Sequence, residues 1–169
     1  MGNGGSAGAL RRWCCGAAAG LGLAALPGLA RAEACRADLA RLALTSGGAA
    51  QFSIEIADDE AERSQGLMNR DHLARGAGML FVYPTERPVA FWMRNTLIPL
   101  DMIFIDARGA VVHVHANATP HDETPIPSGA PVRFVLEING GLAQAIGIGP
   151  GAVLRHPAIA PDLALAPCD

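Results

Sequence analysis

The chain contains no lysine; all 13 of its basic residues are arginine. Schiff-base and lysine-nucleophile chemistry are therefore excluded. Serine occurs only five times and no G-x-S-x-G elbow is present, which argues against a serine hydrolase. Cysteine is limited to Cys14, Cys15, Cys35 and Cys168, with no C-x-x-C spacing for zinc or redox work. Charged residues make up only 17% of the chain. That is neither a disordered nor a nucleic-acid-binding composition.

What is present begins with an export leader, expected over residues 1–32. Arg11-Arg12 supply a positive start, Gly16 to Leu29 is an Ala/Gly/Leu run, and Ala30-Arg31-Ala32 is a small-x-small cleavage pattern. The run is shorter than the roughly 20 apolar residues a membrane span needs. Arg11-Arg12-Trp13 admits the twin-arginine route as well as the general secretory one. Removing the leader leaves 10 basic against 16 acidic residues, a net charge of −6. This charge opposes nucleic acid and anionic membranes as partners. Only Cys35 and Cys168 then remain, one near each end, and in an oxidising compartment they read as a disulfide.

The exported part reads as one α+β, β-rich domain: a curved or barrel-like, mainly antiparallel sheet with two short helices and no βαβ rhythm. Residues 33–50 form an N-terminal segment with a first strand, 51–157 the globular body and 158–169 a tail. Phe52-Ser53-Ile54-Glu55-Ile56 alternates as a half-buried strand does. Asp59 and Glu62 form a capping box for a helix reaching about Gln65 and ended by Gly66. Met79–Tyr83, Val89–Met93, Met102–Ile105, Val111–Ala116, Val132–Ile138 and Ala152–Leu154 read as strands. Residues 117–131, with four prolines, read as a long loop, and Asn139 as the cap of a helix ending before Gly147.

The run Phe91-Trp92-Met93-Arg94-Asn95-Thr96-Leu97-Ile98-Pro99-Leu100-Asp101 resembles the bacterial family called domain of unknown function 192. Arg63-Ser64-Gln65-Gly66-Leu67-Met68, Gly78-Met79-Leu80-Phe81, Arg133-Phe134-Val135-Leu136-Glu137 and Asn139-Gly140-Gly141 match other blocks of it. The resemblance spans about Phe52 to Arg155 and carries no established activity.

Asp101 and Glu137 are the carboxylates inside otherwise apolar strands or at their edges. Burial of a lone charge is costly, so each needs partners. Arg63, Arg70 and Arg94 are candidates, with Asn95 and Thr96 as further polar groups. Two readings follow. The groups form a buried network that fixes the sheet, or they surround a ligand pocket made by Arg63, Arg70, Asn95, Thr96, Asp101 and Glu137. The first functional expectation is a monomeric, non-catalytic, periplasmic or extracellular binding or accessory protein. Its partner would be a small ligand or an envelope protein, with no cofactor. The second is a hydrolase or lyase on a small envelope or carbohydrate-like substrate, with Asp101 and Glu137 catalytic. The third is metal handling through His113, His115 and His121 beside Asp122 and Glu123. Gly140-Gly141 offers helix-start amides to an anion, and Phe91 and Trp92 offer rings to a pocket or a core. Mass spectrometry of the exported protein should find Glu33 at its start; a retained Met1 or a cytosolic location would contradict the leader.

Overall fold

A computed structural model gives the fold and describes residues 1, 2, 4 and 34–168. The expected leader lies almost wholly outside the described residues. Contacts divide the chain into two units, Met1–Arg31 and Ala32–Asp169, and all that follows concerns the second.

The elements run β1 (Leu39–Ala43), β2 (Ala49–Ala57), α1 (Glu60–Gln65), β3 (Ala77–Arg87), β4 (Ala90–Phe91), β5 (Leu100–Ile105), β6 (Val111–Ala118), β7 (Ile126–Pro127), β8 (Val132–Asn139), α2 (Leu142–Ile146) and β9 (Val153–Arg155). Seven strands form a curled half-barrel in the order β6-β5-β8-β3-β2-β1-β9, and β4-β7 is a separate ribbon. The architecture is the β-rich α+β one expected. Alternation builds β2, whose Phe52 and Ile54 are buried while Gln51, Ser53 and Glu55 are exposed. Strand β5 is buried at every position, as a run covered on both faces must be. Phe52, Leu80, Ile103, Phe134 and Leu136 form one apolar layer with Leu142 and Ala143 of α2. Phe81, Met93, Met102, Phe104 and Val135 form the other. At the β5–β6 turn, Asp106 Oδ1 accepts from the amides of Arg108 and Ala110 at 2.9 and 2.8 Å.

Three expectations are corrected. One βαβ unit exists: β2 and β3 pair in parallel, Ser53 with Ala77 through Ala57 with Phe81, around α1. The helix and both strands are legible in the sequence, but a six-residue helix does not give the long crossover that usually marks a βαβ unit. Of Val89–Met93 only Ala90-Phe91 pairs, with Ile126-Pro127 from the expected loop. The prolines there remove ladder donors and keep the ribbon short. Asn139 does not cap α2; its Nδ2 donates to the carbonyls of Leu73 and Ala74, each at 3.1 Å.

The cap comes from across the sheet. Asp101 Oδ1 accepts from the amides of Asn117 at 2.6 Å and Gly141 at 2.7 Å, and Oδ2 from Ala143 at 2.6 Å. Gly141, at φ 78°, turns the chain into α2 through a conformation other residues rarely adopt. Asp101 is fully buried and, among the described residues, has no arginine partner, contrary to expectation. Backbone amides, always in excess at a helix start, supply its donors instead.

Cys35 and Cys168 form the expected disulfide, with Cα atoms 5.6 Å apart across a sequence separation of 133. It fastens the tail, where Leu165 N also donates to Arg108 O at 3.0 Å. Among the described residues no helix is long and apolar enough to cross a membrane. Asp101→Ala should lower stability by about 3–5 kcal/mol, because one buried and two partly buried amides lose their acceptor. Asp101→Asn should cost less, since its oxygen keeps two amides while its NH2 meets the Ala143 N–H. Denaturant midpoints check both, and an unchanged midpoint for Asp101→Ala would contradict the cap.

Candidate functional site

A cavity of about 290 Å³ lies among α1, β3, β4 and β8. Glu137 of β8 lines it and is only 4% exposed. The register places Met79 of β3 on one side of Glu137 and Met102 of β5 on the other. Among the described residues, no donor hydrogen-bonds its carboxylate, and burial alone pushes its pKa up to about 8. A carboxyl held this way is mostly protonated at neutral pH.

The helix wall is set by local capping. Asp59 accepts from Glu62 N at 2.7 Å, and Glu62 Oε2 accepts from the amides of Asp58 and Asp59 at 3.1 and 3.4 Å. This fixes α1 so that Arg63, Ser64 and Gln65 line the cavity. Gly66 ends the helix at φ 48°, and a Cβ there would stand 3.1 Å from Phe81 Cζ. The Arg63 side chain is anchored on backbone: Nη1 donates to Asp58 O and, at 3.0 Å, to Val82 O.

The sheet side of the cavity is aromatic. Phe81 and Phe91 meet edge to face at 5.0 Å. Tyr83 is buried, with the Arg63 and Arg87 guanidiniums 5.4 and 5.1 Å from its ring centre. Burial raises the phenol pKa against the opposing pull of those two charges. Trp92 is 46% exposed, with the Arg94 guanidinium 5.5 Å from its ring centre. Thr96 is buried on the same lining and donates through Oγ1 to Arg94 O at 3.3 Å.

The structure thus brings Arg63, Thr96 and Glu137 together and separates the other expected site residues. Asp101 pairs in register with Ile138, next to Glu137, so the two carboxylates point to opposite faces of the sheet. Arg70 is gripped by Glu55 of β2 at 2.5 and 2.7 Å, which holds the Glu55 carboxyl below its usual pKa. Asn95 is exposed at φ 54° and uses its carbonyl to accept from Asn69 N at 2.8 Å. The histidines do not gather. His113 stacks on Phe104 at 5.6 Å, His115 stands opposite Met102, and His121 is exposed at φ 61°. Among the described residues no three His, Cys, Asp or Glu side chains could hold a metal. The Gly141 amide is taken by Asp101 and that of Gly140 by Pro99 O at 2.9 Å, so this turn offers neither to an anion.

Tyr83 also lines the cavity, and its one sign in the sequence is a phenol closing the apolar run Met79–Tyr83. His156, also not among the expected site residues, is buried outside the cavity. Ala158 N donates to its Nδ1 at 3.1 Å, so Nε2 carries the proton facing Ala37 O at 2.9 Å. Burial lowers its pKa.

The family model DUF192, described as "Uncharacterized ACR", matches residues 42–156. The chain belongs to this family. It is similar to a crystal structure from Sinorhizobium meliloti 1021, described as a candidate transcription regulator, at 42% identity and a TM-score of 0.68. That match covers 72% of this chain and 94% of the other. It is similar also to a protein of unknown function from Novosphingobium aromaticivorans DSM 12444, at 45% identity and a TM-score of 0.67, covering 69% of this chain and 82% of the other. A search of the curated proteins finds no match.

Glu137 makes stability depend on pH. Its pKa rises from 4.5 to about 8 on folding, so the folded state holds a proton that the unfolded state releases. Stability should fall as pH rises from about 4.5 to about 8 and level beyond, by a few kcal/mol at about 1.4 kcal/mol per unit. Glu137→Gln should remove this component. Denaturant midpoints of both proteins across that range check it; parallel pH profiles would contradict it.

Proposed function

We propose that the chain is an exported, non-catalytic binding or accessory protein whose cavity beside α1 holds a small ligand. The observation that carries this reading is Glu137: a buried carboxyl lining a cavity, left without a protein donor among the described residues. A wall of apolar rings with a few convergent polar groups is the usual make-up of a small-molecule site. The competing reading, a hydrolase or lyase worked by Asp101 and Glu137 together, lacks its geometry, because the two point to opposite faces.

Export is supported by the arginine pair, the apolar run and the small-x-small site of the leader. The Cys35–Cys168 bridge is of the kind that persists in oxidising compartments. A regulator's role at DNA would oppose the −6 charge of the exported part.

A thermal-shift screen of the exported protein against sugars, amines, carboxylates and phosphates tests the binding function. A ligand at 100 times its Kd adds about 2.7 kcal/mol, a Tm rise of several degrees. At least one class should produce it in the parent protein and not in Glu137→Gln. No shift from any class would overturn the reading.

A further inference from the structure

The guanidiniums at and beside this cavity have company. The Arg63 guanidinium is tied to Asp58 O and Val82 O and lies over Tyr83; that of Arg94 lies over Trp92. Among the described residues the Glu137 carboxyl has no donor, and its register neighbours are Met79 and Met102. Ionised, it would be a buried charge with no counter-charge, which is among the costliest arrangements in a protein. A cation brought from outside would supply that counter-charge.

We propose, resting on the binding function above, that the ligand is an organic amine whose ammonium group sits against Glu137 and whose body packs on Phe81, Phe91 and Trp92. Aromatic walls favour a cation over an anion, because ring faces carry negative potential. The protein already uses that attraction, placing guanidiniums on Tyr83 and Trp92. Ser64, Gln65 and Thr96 supply the few polar contacts that orient a small ligand. Arg63 on the same lining repels a second positive charge, so the class is a monoamine, with room for an oxygen acceptor on its body. Below the raised pKa of the free carboxyl, the reaction is balanced by one proton. Neutral Glu137 and the ammonium ion give a carboxylate–ammonium pair, and the Glu137 proton leaves to solvent.

Three probes of one shape separate the possibilities: cyclohexylammonium, cyclohexanol and cyclohexanecarboxylate, titrated into the full chain and followed by NMR. Cyclohexylammonium should bind at least tenfold more tightly than cyclohexanol. Calorimetry in buffers of different ionisation enthalpy should show proton release on binding near pH 7. Glu137→Gln should erase the preference, and Trp92→Ala, at an exposed position, should weaken binding without unfolding the protein. Equal binding of cyclohexanol would overturn the amine and leave an apolar pocket. Preference for the carboxylate would overturn it in favour of an Arg63-anchored anion site. Either result leaves the binding function standing. Binding of none of the three would also overturn the amine, and the ligand screen would then judge the binding function by itself.

Discussion

Asp101 holds two separate stretches of backbone with one side chain. Its carboxylate takes amides from the end of β6 and from both sides of the turn into α2. Strand β5 carries it between β6 and β8, so the grip reaches the side of the sheet that α2 covers. A five-residue helix has little intrinsic stability. It stays because its first amides meet a buried negative charge and Leu142 and Ala143 close one apolar layer. The parallel β2–β3 pairing and the ribbon of β4 and β7 are arranged around that braced sheet. The Cys35–Cys168 bridge ties the tail to the segment before β1.

The second buried carboxyl has the opposite character. Glu137 lies one register position from the residue opposite Asp101, yet alternation turns it to the other face, among methionines and aromatic rings. Asp101 has all its donors from the fold and is structural. Glu137 has none among the described residues and adjoins open space. Proteins rarely bury an uncompensated acid without a use for it, because the same fold with glutamine or leucine there would be easier to stabilise. The contrast between the two acids is the physical basis for the proposal of a site at the cavity beside α1, and it assigns Asp101 to the architecture of the turn into α2.

Much of this was legible in the sequence, and the failures have physical causes. Alternation in Phe52–Ile56 and the Asp59/Glu62 capping box are local signals, and both elements formed where those signals lie. The Cys35–Cys168 pairing followed from there being only two cysteines beyond residue 32. The parallel β2–β3 pairing was hidden although both strands and the helix between them were legible, because no local pattern marks which strands pair or in which direction. Asp101 and Glu137 could be picked out as buried acids in apolar strands, but their partners could not. Asp101 is satisfied by amides, which every residue but proline possesses and no sequence pattern marks. Arg70 was drawn to Glu55 on β2, a choice made by strand order. Arg63 and Thr96 reach the cavity because α1 and the segment after β4 flank the same stretch of β3, a fact of topology rather than spacing.

Carbon-13 NMR of the Glu137 side-chain carboxyl observes directly whether any group holds it. The resonance is assigned by its absence in Glu137→Gln and followed through a pH titration of the ligand-free protein. A midpoint near 8 is the predicted result: a buried acid with no donor and no counter-charge. A midpoint at or below the ordinary 4.5 would mean that a cation or hydrogen-bond donor already holds the carboxylate, and would contradict the account.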